Sequence, residues 1–139
     1  SLAELSTVES VPAIKQLLGD GQVTVRAAAV ASLLQLGQPF EMVADTARAL
    51  AQQNDTAARA SIAFALGKAT KSNAKPAVVF LSGLTADSLP GPKIVALRSL
   101  GHIGDREVIP LMMEGMHDAN EAVRATAAGG LLHLLQSKP

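Results

Sequence analysis

One eighteen-residue pattern recurs along this chain and limits what it can fold into. The stretch Asp20 to Gly37 (DGQVTVRAAAVASLLQLG) opens on an acidic residue, passes through a Val-Arg pair and an Ala-rich run, and closes on Leu and Gly. Asp118 to Leu135 (DANEAVRATAAGGLLHLL) follows it position for position, and looser copies occupy Gln53 to Thr70 and Ser88 to Gly104. Repetition at a period of roughly 20–50 residues marks a solenoid, in which each unit buries its apolar face only by stacking on its neighbours.

The register of the copies supports this. Each repeat can be anchored on its basic residue (Arg26, Arg59, Lys93, Arg124) and each preceding helix on Pro12, Val43, Pro76 or Pro110. From a basic residue to the next anchor the distance is always 17 residues, whereas from an anchor to its own basic residue it varies from 14 to 17. The connection between repeats is therefore fixed by stacking, while the turn inside each hairpin absorbs extra residues at little entropic cost.

Four helical hairpins follow, over about 8–37, 40–70, 75–104 and 107–136. Val11, Ile14, Leu17 and Leu18 share a face at helical spacing. Gly37 followed by Pro39 punctuates the end of the first hairpin, Asn54-Asp55 offers an N-cap, and Pro92 suits a first helical position. Gly129 and Gly130 each cost about 1 kcal/mol against Ala inside the last helix, so some neighbour should need them bare. By register Leu2 and Leu5 match Leu100 and Ile103, which makes residues 1–5 the remnant of an upstream repeat and the chain a fragment of a longer protein. Its cut N-terminal edge would then be open to self-association.

Composition narrows the function. Nearly half of the residues are apolar, mostly Ala, Leu and Val, with three Phe, no Tyr, no Trp and no Cys. The anchors of tight interfaces and the stacking platforms for single-stranded nucleic acid are thus scarce. Thiolate metal sites and disulfides are excluded, no apolar run is long enough for a membrane helix, and no compartment is named. Net charge is zero, so a polyanion partner has no global support. Locally, residues 59–106 carry seven basic and two acidic side chains between acidic flanks.

Hairpins with proline in the first helix, a following Asp, then Val-Arg, an Ala-rich second helix and a terminal Leu-Gly resemble HEAT repeats, most of all the short HEAT-like type named after phycobilisome lyases. Pro12, Asp20, Val25, Arg26 and Gly37 carry the likeness in the first copy, and Pro110, Asp118, Val123 and Arg124 in the last. The second copy lacks the proline, and the third has Pro92 and Lys93 in place of Val-Arg. The resemblance implies an all-α, right-handed superhelix with second helices lining its concave side. It implies protein–protein scaffolding more often than catalysis, and a ladder of Asp and basic residues along the stack, with Asp capping the second helices.

Two columns are candidates for function. Arg26, Arg59, Lys93 and Arg124, paired with Asp20, Asp55, Asp87 and Asp118, read as the structural ladder, because carboxylates favour helix N-termini and each base has its own acid. Nine residues beyond each base lie Gln35, Lys68, His102 and His133, which break otherwise apolar helices. With Phe64, Val95 and Arg98, four residues away on the same helical face or beside it, they form the expected partner-binding surface. Its partner would be another protein or peptide, of acidic character. Two stacked histidines without a third ligand make a poor metal site. Phosphate-loop, Gly-x-Ser-x-Gly and His-Glu-x-x-His motifs are missing, as are the His-Glu pairs of a HEAT-type di-iron hydroxylase, to which His117-Asp118 comes nearest. The expectation is a non-catalytic scaffold without cofactor. An accessory domain of an enzyme, or weak nucleic-acid binding through the central basic zone, are the alternatives.

Overall fold

The computed structural model describes residues 2–137, with side chains from residue 9 onward. Eight helices and no strand are present among them. They are α1 (Leu2–Gln16), α2 (Val23–Gln35), α3 (Ala44–Ala51), α4 (Thr56–Leu66), α5 (Ala74–Leu84), α6 (Pro90–Ile103), α7 (Ile109–Gly115) and α8 (Glu121–Gln136). Single 3-10 turns precede α3 and α7 and follow α1. Consecutive helices pair as four hairpins, α1/α2 to α7/α8, and the second helices α2, α4, α6 and α8 pack side by side in that order. The first helices meet chiefly their own hairpin partners. The result is an α-solenoid whose continuous layer is made of second helices.

Local chemistry explains the boundaries. Asp55 is the N-cap of α4 and accepts from the Ala57 N–H at 2.9 Å, while Asn120 caps α8 through the N–H groups of Ala122 and Val123. Pro90 takes the first position of α6, so Pro92 lies two residues further in than its sequence suggested. Gly37, at φ 76°, ends α2: the Gln38 N–H reaches the Leu33 carbonyl and the Gly37 N–H that of Leu34, the paired bonds of a left-handed C-terminal cap.

At the N-terminus α1 starts at Leu2 and runs unbroken through Pro12 to Gln16. Residues 2–5 are thus the first turn of α1, not a separate helix, and the packing expected of the Leu2 and Leu5 side chains lies outside the described residues. The core runs the length of the stack through fully buried Val30, Leu33, Leu34, Leu50, Ile62, Leu66, Leu81, Leu100, Met112 and Leu134, each worth about 1.5–3 kcal/mol of burial. Small residues let the second helices approach closely. Ser99 of α6 donates to the Ala63 carbonyl of α4 at 2.7 Å, and a Cβ on Gly67 would stand 2.5 Å from the Ser99 hydroxyl.

Candidate functional site

Three adjoining depressions form one groove along the exposed face of the second helices. Between α2 and α4 lies a trough of about 520 Å³, floored by Ala27, Ala28, Ala31 and Ala65 and walled by Phe64. Phe64 also borders the next, of about 340 Å³ between α4 and α6, with Lys68, Val95, Arg98 and His102. Arg98 and His102 then continue into a third, of about 510 Å³ between α6 and α8, where His133, Gly129 and Gly130 complete the wall. Six of the seven residues expected at a partner surface thus share one groove. Gln35 does not: it is exposed on the last turn of α2 and lines none of the three depressions.

Lys68 sits where the sequence register did not place it. The helix α4 stops at Leu66, and Lys68 belongs to the turn beyond, held with its ammonium 4.7 Å from the centre of the Phe64 ring. Cation–π attraction of this kind contributes about 0.5–1 kcal/mol at an exposed site. Phe64 itself remains 59% exposed, so the groove presents an aromatic edge beside a positive charge. None of the side chains lining the second and third depressions is acidic. The two glycines on the wall differ in role. Gly130 is bare because the Met112 sulfur would stand 2.8 Å from a Cβ there, whereas a Cβ on Gly129 would meet open space.

Residues 77–137 match the family model for HEAT repeats. Human deoxyhypusine hydroxylase, solved in complex with glycerol, is similar in structure, with a TM-score of 0.71 at 25% identity, over 96% of this chain and 46% of that one. The chain is an α-solenoid whose residues 77–137 are similar to HEAT repeats. It spans less than half the length of that hydroxylase, and a search of the curated proteins finds no match.

HEAT repeats generally serve protein interaction, and here their charged ladder runs between repeats. Arg59 donates through Nε to Asp87 of the following hairpin at 2.7 Å, and Lys93 reaches Asp118 of the next at 2.7 Å. Arg59 also donates to the carbonyls of Gln53 and Asn54 in its own turn, and Arg124 to those of Asp118 and Ala119. Arg59 therefore both closes its own turn and reaches forward to the next acid. Asp20, Asp87 and Asp118 do not cap as N-cap residues. Each accepts the N–H two residues on, of Gln22, Leu89 and Asn120, and those later residues are the N-caps.

One internal rung is open. Asp55 makes no ion pair with Arg26, whose Nε is buried without a partner. The hydrogen bond from Arg59 and then the Leu89 N–H hold Asp87 below the ordinary carboxylate value, as Lys93 and the Asn120 N–H do for Asp118. Asp105 is lowered by the Glu107 N–H and by Lys75, which lies 3.1 Å away and is itself raised by that contact.

The basic zone is therefore partly neutralised from within. Arg59, Lys75 and Lys93 each have an acid, while Lys68 and Arg98 have none among the described residues. No three His, Asp or Glu side chains of the described residues converge as metal ligands. No helix there is long and apolar enough to cross a membrane.

Sequence reading missed one residue, Asn73. Fully enclosed between repeats, it donates to the carbonyls of Leu34 and Gln38 at 3.0 and 2.8 Å and accepts from the Thr70 N–H at 2.8 Å. A polar residue opening a first helix carries no periodic signal, so only the stacked structure reveals it.

Proposed function

We propose that this α-solenoid is a non-catalytic protein-interaction module that holds an acidic, extended or helical segment of a partner in the groove between its second helices. The observation that carries this reading is the contrast between paired and unpaired cations. Lys68 and Arg98 face one groove free of carboxylates, beside an exposed Phe64, while Arg59 and Lys93 of the ladder are paired with acids of the following hairpins. An incoming carboxylate would meet charge that no protein acid offsets, and apolar residues of the same segment would lie on Phe64 and the alanine trough. Without Trp or Tyr anchors the affinity is modest.

The test is an anisotropy titration with a labelled synthetic peptide of mixed Asp, Glu and Leu. Reversing both charges, K68E with R98E, should weaken binding at least about tenfold, some 1.4 kcal/mol, and leave the melting temperature unchanged. Reversal of Lys15 and Arg48 on the first helices should leave binding intact. If only the second pair weakens it, the outer face is the working one.

A second reading is favoured by the likeness to an enzyme of about twice the length. In it the domain shapes access to chemistry supplied elsewhere on a longer chain. A catalytic segment in the same gene product would support that role over free-standing scaffolding.

A further inference from the structure

Resting on the peptide-binding role proposed above, we infer that the groove takes its partner segment in an extended, polyproline-type conformation, with an aliphatic and an acidic side chain three residues apart. Counted from the basic residue of each repeat, the fifth position gives Ala31, Phe64, Arg98 and Gly129, one from each second helix, and all four line the groove. Along this row the surface changes character at Phe64. On its α2 side every other residue lining the trough is Ala, Ser or Thr. That trough has room for an aliphatic side chain and no charge to hold a polar one. On the α6 side Lys68, Arg98 and His102 gather round the next depression, where no carboxylate answers them. Arg98 and His102, with His133, also border the third. The order of subsites is apolar, then acid-binding twice.

The helices set the distance between subsites. Neighbouring depressions are one helix apart, and packed helix axes lie about 8–10 Å from each other, according to the side chains between them. Here those side chains are minimal. A Cβ on Gly67 would stand 2.5 Å from the Ser99 hydroxyl, and one on Gly101 would stand 3.6 Å from the Gly130 Cα. The spacing therefore belongs at the short end of the range. A polyproline-type chain has three residues per turn and rises about 3.1 Å per residue, so residues i and i+3 point the same way about 9.3 Å apart. A β-strand returns to one face after two or four residues, about 6.8 or 13.6 Å, and an α-helix after seven, about 10.5 Å. Of these only the first falls within the range. It also repeats: a second acid at i+6 reaches Arg98, His102 and His133.

Fluorescence anisotropy of the 139-residue chain with short labelled peptides tests this. Each peptide carries one Leu and two Glu on a Pro-Ala background, with successive steps of two, three or four residues, made in both chain directions. A further peptide places them seven apart on a helical Ala-rich background. In its better direction the step of three should bind at least about tenfold more tightly than any other spacing. Ala28→Lys, at an exposed position in the trough, should reverse the choice of side chain there. The peptide with Glu in place of Leu then gains affinity and the Leu peptide loses it, with the melting temperature unchanged. Equal affinities at every spacing, or a best fit at seven, overturn the inference and leave an acidic partner in place. An A28K chain that still prefers Leu overturns it as well. If no spacing binds, the peptide-binding role falls with it.

Discussion

Gly67 and Gly129 occupy second helices or their ends in the same solenoid, yet their neighbours predict opposite responses to a methyl group. At Gly67 the added carbon would press on the Ser99 hydroxyl and its Cβ, at 2.5 and 2.8 Å, and both belong to a short, buried side chain that cannot swing aside. Gly67→Ala should therefore cost about 1–3 kcal/mol in denaturant unfolding, and a second change, Ser99→Gly, should recover part of it. At Gly129 the carbon would enter open space. Gly129→Ala should stabilise the protein by about 0.5–1 kcal/mol through helix propensity alone. Loss of stability there would mean that something already fills the groove wall. Asn73→Ala removes its bonds to the Leu34 and Gln38 carbonyls and takes the acceptor from the Thr70 N–H, at about 1–3 kcal/mol for a group left unsatisfied, so it should rank among the more damaging single changes.

Among elements, the ladder separates cations that look alike in the sequence. Arg59 bonds to Asp87 with side chains only 14% and 7% exposed, whereas Arg48 pairs with Asp45 across an open helix surface at 56% and 97%. Exposed pairs contribute little, so Arg59→Ala should lower the melting temperature clearly and Arg48→Ala barely. Equal effects would break the link between repeat register and stability. The register itself was readable because stacking permits no slack: the invariant spacing between repeats placed every second helix to within a few residues. Helix ends were less legible. α4 stops at Leu66 with Gly67 lying against Ser99 of the next repeat, a neighbour that the local sequence does not announce. Likewise nothing local in Arg26 distinguishes it from Arg59, although one rung closes and the other does not.

For the molecule as a whole, the sign of the acid response is set by three carboxylates. Asp87, Asp105 and Asp118 all have folded values below their ordinary one, so the unfolded chain binds more protons in acid than the folded one does. Their contribution is complete above the unfolded carboxylate value of about 3.9 and drains away as pH falls through the lower folded values. Thermal unfolding should thus be flat across neutral pH and drop below about pH 4, and Asp87→Asn should flatten that drop. The groove was legible in the same measure as the stack: periodicity gathered Phe64, Lys68, Val95, Arg98 and His102, while Gln35 fell outside because its exposed end of α2 borders no following cleft.

Asn73 has one more consequence, for the order in which the structure opens. It stands between the second and third hairpins, yet its amide, with the hydroxyls of Thr70 and Ser72, holds the carbonyls at the end of the first: Leu34, Gly37 and Gln38. The first hairpin's last turn is thus finished by residues of the next junction, at the far end of the second hairpin. In a strictly nearest-neighbour solenoid an end repeat frays by itself. Here the amides of Leu36 to Gln38 should exchange with deuterium at the same rate as those around Asn73, so that the first two hairpins come apart as one cooperative unit.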